Sequence, residues 1–383
     1  MKVITSEKIP IKLWLNDIED NALNQAKNLA NFPFAFKHIA IMPDSHTGYG
    51  MPIGGVLATK DVIIPNAVGV DIGCGICTIK TNLKEIDKKR LKNIISLIRN
   101  LVPVGFKHHL KEQKSFLFNQ VPDIEIIQKE IKSAKYQLGT LGGGNHFIEI
   151  QRGSDDFIWI MVHSGSRNFG LQIAKEYNKK AKKLCEKQFP NILDKDLSFL
   201  PLNTKDSDEY IKGMEFALLF AKENRFQIIE YIKKSFEYYI NDFFYNKIID
   251  IHHNYARMEN HFNNNVIVHR KGATSARKGE IGIIPGSQGT NSYIVEGLGN
   301  LESFMSCSHG AGRKMGRKQA QRELNLDNEI KNLNDQGIIH AIQNKKDLDE
   351  ASGAYKDISI VMENQKDLVK PLIELTPLAI IKG

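Results

Sequence analysis

The chain has 383 residues, of which 42% are hydrophobic and 25% are charged, and this composition is typical of a globular protein and excludes a disordered chain. The length allows one large domain or two. Acidic residues occur too early in the N-terminal segment for a signal peptide, and no apolar run is long enough to cross a membrane, so we expect a cytoplasmic protein. The net charge of +8 is a weak indication of a polyanionic partner, because the lysines are spread along the chain.

The periodicity of apolar residues predicts several helices and strands. In chain order we predict a strand at 157–162, helices at 171–187 and 208–243, and strands at 265–269 and 292–296. The two helices are interpreted as insertions that serve as packing and surface elements, and each strand adjoins a loop that is rich in Gly or carries His. We therefore predict a mixed α/β (α+β) fold with active-site loops at strand ends, in which residues 1–383 form a single large domain.

Five segments studded with glycine contain most of the histidines of interest. They are 42–58, 65–77, 139–149, 162–170 and 305–317. Glycine lets the backbone turn sharply and approach a ligand closely. The clustering indicates that these loops form a binding site.

Asp71 and Cys74 lie on one of these loops. Cys74 and Cys77 form a C-x-x-C pattern, which also occurs in half of a zinc knuckle or in a redox pair. A second C-x-x-C is absent, and a strand-like segment follows where a redox motif would begin a helix. A carboxylate and a thiolate on one tight loop instead suit a metal with mixed ligands, which leaves Cys77 as a packing residue. Four cysteines do not indicate a disulfide framework in this length, and Cys185 is interpreted as a buried thiol.

Three histidines complete this candidate metal site. His146, His163 and His253 each end an apolar segment or lie in a Gly-rich turn. Any one of them alone is also explained as a hydrogen-bonded structural histidine. Together with Asp71 and Cys74 they form a ligand set. Thiolate and imidazole suit zinc or iron better than manganese, so the ligand types leave the identity of the metal open.

His309 lies in the segment CSHGAGRKMGR, where the turn at 310–312 is predicted to lead to a helix that begins near Arg313. Backbone N–H groups in such a turn can hold a phosphate, and Arg313 and Arg317 would add positive charge on one helix face. A capping loop with a solvated histidine is the alternative interpretation of the turn. A second Gly- and Ser-rich loop surrounds 285–287. Two such loops near a metal indicate nucleotidyl or phosphoryl transfer.

Six motifs occur in a fixed order along the chain, and they are VDIGCG, LGGGNHFIE, HSGSRNFG, HHNYA, RKGATSARKGEIGIIPGSQG and CSHGAGR, followed by a terminal Lys-Gly. This pattern resembles the RtcB family of GTP-dependent RNA ligases. The resemblance extends from about residue 40 to the C-terminus. It therefore covers nearly the whole chain.

The resemblance implies a role for each matched position. It implies a site for two Mn²⁺ ions, bridged by the Cys74 thiolate, at Asp71, Cys74, His146, His163 and His253. It implies that His309 attacks the α-phosphate of GTP and carries a covalent guanylate. It implies that the guanylate is bound by Asn145, His146, Phe147, Ile148, Glu149, His253, Asn254, Pro285, Gly286, Ser287, Gln288, Ser292, His309, Gly310, Ala311, Gly312, Tyr355 and Lys382. Of these, Glu149 and Lys382 would contact the guanine base.

The implied substrate is RNA that ends in a 2′,3′-cyclic phosphate or a 3′-phosphate, together with an RNA 5′-hydroxyl end, in tRNA splicing or in RNA repair. An archease-like activator is a further partner that the resemblance allows. Tyr49 stands where lysine is expected in many relatives, and Gly316 stands where serine is frequent. These two departures leave the natural RNA open.

Two other functions remain compatible with the motifs. One is a metal-dependent cyclic phosphodiesterase or phosphatase, for which His309 would be dispensable. The other is a non-catalytic module that binds metal and RNA, which would have no use for a complete guanine pocket ending at Lys382.

Overall fold

The computed structural model describes residues Met1–Gly383 and contains seventeen strands. The strands are β1 Lys2–Ile4, β2 Ile11–Leu13, β3 Ala35–His46, β4 Ile53–Thr59, β5 Val62–Ile63, β6 Gly75–Thr81, β7 Phe147–Gly153, β8 Ile158–Ser164, β9 Leu200–Pro201, β10 Tyr245–His252, β11 Asn254–His261, β12 Asn264–Lys271, β13 Ala273–Ser275, β14 Ile281–Ile284, β15 Ser292–Gly297, β16 Ser306–Ser308 and β17 Val369–Lys382.

Nine α-helices lie between these strands. They are α1 Asp20–Ala30, α2 Pro65–Val68, α3 Lys88–Leu101, α4 Glu125–Gln137, α5 Arg167–Gln188, α6 Lys205–Tyr239, α7 Arg317–Glu323, α8 Leu326–Asp335 and α9 Ile358–Glu363. None of them has an apolar stretch long enough to span a bilayer.

Two large sheets organise the chain. One has six strands in the order β1-β2-β3-β4-β12-β11, and the other has seven in the order β10-β6-β8-β7-β17-β15-β14. Neighbouring strands are antiparallel except for β2 and β3. The predicted mixed α/β fold is confirmed.

Strand β8 lies inside the second sheet, between β6 and β7. All seven of its residues are buried, which accounts for the uninterrupted apolar run that predicted a strand here. Helices α3 and α6 cover one face of this sheet with apolar side chains such as Ile94, Ile98, Ile228 and Ile232. Burial of such side chains stabilises the fold by about 25 cal/mol for each Å² of apolar surface removed from water.

The predicted strands at 157–162, 265–269 and 292–296 correspond to β8, β12 and β15. The helices predicted at 171–187 and 208–243 correspond to α5 and α6, although α6 begins at Lys205 and ends earlier, at Tyr239. Cys185 is buried on α5 and Cys77 is buried within β6, both as predicted.

The ends of four strands meet at one place. Gly75 at the start of β6 is paired both with Ser164 at the end of β8 and with His252 at the end of β10. His163 of β8 is paired with Phe147 at the start of β7. His253 lies between β10 of one sheet and β11 of the other. The loops at these strand ends therefore converge where the two sheets approach each other.

Candidate active site

Two groups of possible metal ligands share the thiol of Cys74. The ligand atoms of Cys74, His163 and His253 lie within 4.8 Å of one another, and so do those of Asp71, Cys74 and His146. The Cys74 sulfur is 3.3 Å from Nε2 of His163 and 3.4 Å from Nε2 of His146. Because the one sulfur belongs to both groups, the two groups form one continuous cluster of possible ligands.

The chemistry of these atoms fits a bound cation. Oδ1 of Asp71 and Nδ1 of His253 are buried without any hydrogen-bond partner, although buried polar atoms nearly always have one. Burial, together with the charge of neighbouring histidines, lowers the pKa of His163 well below its usual value. Burial and the charge of Asp71 raise the pKa of the Cys74 thiol. The imidazole is therefore neutral, and a cation that replaces the thiol proton would gain a thiolate ligand.

Arg225 of α6 connects the loops that carry these ligands. Its buried guanidinium donates to the carbonyl oxygens of Gly73 and Ser164, at 3.1 and 3.0 Å, and pairs with Asp250 at 2.6 Å. Arg225 could not be singled out from the sequence, because it lies in a helix whose apolar pattern indicates packing. Helix α6 thus supports the site directly as well as filling the core.

Asp44 near the end of β3 holds His309. Its Oδ2 accepts hydrogen bonds from the backbone N–H groups of His309 and Gly310, and lies 2.6 Å from Nδ1 of the His309 ring. A carboxylate in this position keeps the proton on Nδ1 and leaves the lone pair of Nε2 free. Asp44 was not singled out in the sequence, although its segment, 42–58, was among the Gly-rich loops.

The prediction that a helix begins near Arg313 is wrong. Helix α7 begins at Arg317, because Gly312 has a left-handed φ of 75° and Arg313 pairs instead with Tyr355 in an isolated β-bridge. Arg313 and Arg317 form ion pairs with the buried Glu350, at 2.9 and 2.7 Å. The one carboxylate of Glu350 balances one of these two positive charges, so the cluster keeps a net charge of +1, and Arg313 and Arg317 do not form the predicted cationic face of a helix.

A cavity of about 540 Å³ opens beside the metal-ligand groups. Thirteen of the residues expected to bind the guanylate line it: Asn145, Phe147, Glu149, Pro285, Gly286, Ser287, Gln288, His309, Gly310, Ala311, Gly312, Tyr355 and Lys382. The metal-ligand candidate His163 also lines it. The His309 ring is 4.8 Å from that of His253, measured between centroids. His309 is thus positioned between the cavity and the metal-ligand groups.

The other five residues expected to bind the guanylate do not line the cavity. His146 and His253 belong to the metal-ligand groups. The side-chain amide of Asn254 is bonded to the Asp71 carbonyl and to the backbone N–H of Gly272. Ser292 contacts a residue of the cavity wall, because its hydroxyl accepts a hydrogen bond from the N–H of Gly286. The same hydroxyl also accepts a hydrogen bond from Gln151. Ile148 is buried in the hydrophobic core.

Glu149 on β7 and Lys382 on β17 both line the cavity, and they are diagonal neighbours on adjacent strands, since Glu149 is paired with Ile380 and Lys382 with Phe147. Burial raises the pKa of Glu149 to about 8, against the hydrogen bond from Gln151 and the charge of Lys382. Burial lowers the pKa of Lys382, against the charges of Glu350 and Glu149. A buried carboxyl group and a half-buried amine that line one cavity could together pair with a ligand edge that carries both donors and an acceptor.

A family model described as tRNA-splicing ligase RtcB matches residues 25–121 and 117–383. The RNA-splicing ligase RtcB of Escherichia coli K12 is 38% identical over an alignment that covers 100% of this chain and 99% of the relative. The chain belongs to the RtcB family. Similar proteins include the tRNA-splicing ligase RtcB of Nanoarchaeum equitans, 32% identical over 98% of this chain and 95% of the relative. The RNA-splicing ligase RtcB homolog 1 of Entamoeba dispar is 33% identical over 96% of this chain and 84% of the relative.

Both departures from the expected RtcB pattern lie at the cavity. Tyr49 and Gly316 are among its lining residues. Neither residue belongs to a metal-ligand group.

Proposed function

We propose that this chain, an RNA ligase by its family, joins RNA ends that carry a 2′,3′-cyclic phosphate or a 3′-phosphate to 5′-hydroxyl ends, with GTP as the activating nucleotide. The observation that carries the proposal is the position of His309. It lines the same cavity as Glu149 and Lys382, and its ring is 4.8 Å from that of His253. One nucleophile therefore reaches both a nucleotide-sized cavity and a metal-ligand group.

His309 is proposed to take GMP from GTP. With its Nδ1 proton held by Asp44, the Nε2 lone pair attacks the α-phosphorus, a P–N bond forms, and the P–O bond to pyrophosphate breaks. A cyclic phosphate is first opened by water to a 3′-phosphate. An oxygen of the RNA 3′-phosphate then displaces His309, and GMP becomes attached to the RNA. Finally, the 5′-hydroxyl oxygen attacks the 3′-phosphorus, and GMP leaves as the phosphodiester forms.

The metal ligands are proposed to be Asp71, Cys74, His146, His163 and His253, with Cys74 shared between two Mn²⁺ ions. When bound, these ions would neutralise charge on the phosphate oxygens that react. The shared thiol and the buried, unpartnered Asp71 and His253 atoms support this assignment.

Guanine is proposed to bind in the cavity beside Glu149 and Lys382. An ionised Glu149 accepts from N1–H and the exocyclic amino group of guanine, while the amine of Lys382 donates to O6. Adenine offers an acceptor at N1 and a donor at its 6-position, so it would leave both Glu149 and Lys382 wrongly paired. We therefore expect GTP to be strongly preferred over ATP.

The direct test is to incubate the purified protein with α-labelled GTP and Mn²⁺ and to measure label on the protein. We expect a covalent adduct that is stable to base and labile to acid, as a phosphoramidate is. Addition of RNA with a 3′-phosphate and RNA with a 5′-hydroxyl should then yield joined product and free GMP. Conversion of a cyclic phosphate to a phosphomonoester without any adduct or joining would instead indicate a phosphodiesterase and would overturn the proposal.

A further inference from the structure

One wall of the cavity is formed by residues with no expected role in holding the guanylate. It consists of Glu19, His46, Thr47, Tyr49 and Ile53, and we call it the outer wall. Tyr49 is its most exposed aromatic residue, with 74% of its surface accessible. The outer wall shares the cavity with His309, so a molecule that contacts it lies close to the proposed nucleophile.

Hydrogen bonds from neighbouring side chains to the backbone hold the loop that carries Tyr49. Lys271, which is only 7% exposed, donates to the Tyr49 carbonyl at 2.6 Å and to the Asn66 carbonyl at 2.9 Å. Immediately before it, Gly48 exchanges two hydrogen bonds with the side-chain amide of Gln25. The neighbouring residue Thr47 donates from its backbone and its hydroxyl to the carboxylate of Glu19. The backbone at Tyr49 is fixed, while the aromatic ring is left in solvent.

The outer wall is unsuited to binding phosphate. Glu19 contributes a negative charge, and the amine of Lys356 is directed to the carbonyl oxygens of Pro43 and Ser45. Burial lowers the pKa of His46 to about 4, so its ring is neutral at physiological pH. The amine of Lys271 faces backbone carbonyls. The wall therefore offers an aromatic face without a free cation, and such a face suits a nucleobase better than a phosphodiester.

We propose that Tyr49 is the stacking platform for a base of the RNA substrate next to the reacting end. The inference rests on the proposed function, because it assigns the RNA side of the same cavity. A ring on a fixed backbone needs little further ordering when a base stacks on it. Stacking accepts any base, since every base has a π face, so Tyr49 contributes to affinity for a single-stranded end without selecting a sequence.

The test compares Tyr49→Ala, Tyr49→Phe and the control Tyr238→Ala in ligation. Tyr238 on α6 is 75% exposed, much like Tyr49, but it does not line the cavity. Loss of one stacked base should raise the KM for RNA in Tyr49→Ala by roughly 5- to 100-fold. Tyr49→Phe keeps the ring and should retain the wild-type KM, as should Tyr238→Ala. The Tyr49 substitutions keep the carbonyl that Lys271 binds, so the loop should fold normally.

A second measurement shows whether the ring acts on a base. Substrates carry one abasic nucleotide at successive positions next to each reacting end. At one position the effect of Tyr49→Ala should disappear, because the missing base and the missing ring belong to the same contact. An undiminished effect with every abasic substrate would overturn the proposal, and so would an unchanged KM in Tyr49→Ala.

Labelling with GTP separates the two proposals. If the wild type forms no adduct and joins no RNA, the proposed function is wrong, whatever Tyr49 does. If the wild type does both and Tyr49→Ala joins RNA with the wild-type KM, only the stacking proposal is wrong. Failure of Tyr49→Ala to form the adduct also counts against stacking, because it would place Tyr49 in the nucleotide site.

Discussion

Oδ2 of Asp44 lies 2.6 Å from Nδ1 of His309 and also accepts the backbone N–H groups of His309 and Gly310. The carboxylate therefore fixes both the orientation of the ring and its tautomer. It also stabilises the positive charge that the imidazole develops when Nε2 bonds to phosphorus. Asp44 thus has the role of the neighbouring group that orients the reacting residues in other nucleophilic sites.

Asp44→Asn tests this relationship. The amide has almost the same shape, and its oxygen can accept the same hydrogen bonds from His309 and Gly310, but it lacks the negative charge that stabilises the positive charge on the reacting imidazole. We expect single-turnover guanylylation to fall by roughly 10²- to 10⁴-fold, with metal content unchanged. A guanylylation rate within a few-fold of wild type would show that the carboxylate is not needed.

His309→Ala should separate activation from joining. The variant lacks the nucleophile, so it should form no protein adduct with GTP and should not join a 3′-phosphate to a 5′-hydroxyl. It should still join RNA that already carries GMP on its 3′-phosphate, because that step does not use the His309 lone pair. An adduct in His309→Ala would identify another nucleophile, and a folded, metal-loaded variant that fails on pre-activated RNA would extend the role of His309.

Cys74→Ala and Cys77→Ala form a matched pair, since both thiols are buried and lie three residues apart. Only Cys74 belongs to the metal-ligand groups. Cys74→Ala should lose most of its Mn²⁺ binding and nearly all ligation, as measured by calorimetry and product formation. Cys77→Ala should keep both and lose about 1 kcal/mol of stability from the small cavity. Equal Mn²⁺ affinity in the two variants would contradict the shared thiolate.

GTP affinity should depend on the ionisation of Glu149. Its pKa is raised to about 8, so most of it is protonated at neutral pH and must lose the proton to accept from guanine. Affinity should therefore rise with pH by up to about tenfold per unit until about pH 8, and then level off. The measurement is the Kd of GTP in the His309→Ala background, where no covalent step intervenes. Glu149→Gln should bind more weakly and show a nearly flat profile; a sloping profile in that variant would assign the titration elsewhere.

The pair of Arg225 and Asp250 should matter greatly to stability. Their side chains are 0% and 8% exposed, and Asp250→Asn would leave the guanidinium charge buried without its counterion. We expect a loss of about 3 to 5 kcal/mol in the free energy of unfolding, together with weaker metal binding because the Gly73 and Ser164 loops loosen. Glu237→Gln is the control, since its pair with Lys233 on the same helix is exposed and should contribute less than about 1 kcal/mol. Similar denaturant midpoints for the two variants would show that the buried pair is dispensable.

The sequence by itself determined the helices and strands whose pattern of apolar residues lies within the element. The apolar run at 157–162 predicted β8 correctly, because a strand buried on both faces needs no polar residues. Apolar spacing likewise predicted α5 and α6, with errors only at their ends. The Gly-rich motifs indicated the metal-ligand and cavity residues, because close backbone turns at a ligand require particular residue types. Local rules failed at Arg313, where pairing with Tyr355 and Glu350 prevents the predicted helix.

Only the tertiary structure decided which residues meet. Asp44 and His309 are separated by 265 residues and come together because β3 and β16 bring their ends to the same cavity. Arg225 has the helical context of a packing residue, and its role depends on the carbonyls of Gly73 and Ser164, which lie at two other strand ends. Such contacts depend on strand pairing across the whole chain. The periodicity of apolar residues in one sequence specifies which face of a helix or strand is apolar, but it does not specify which other element packs against that face.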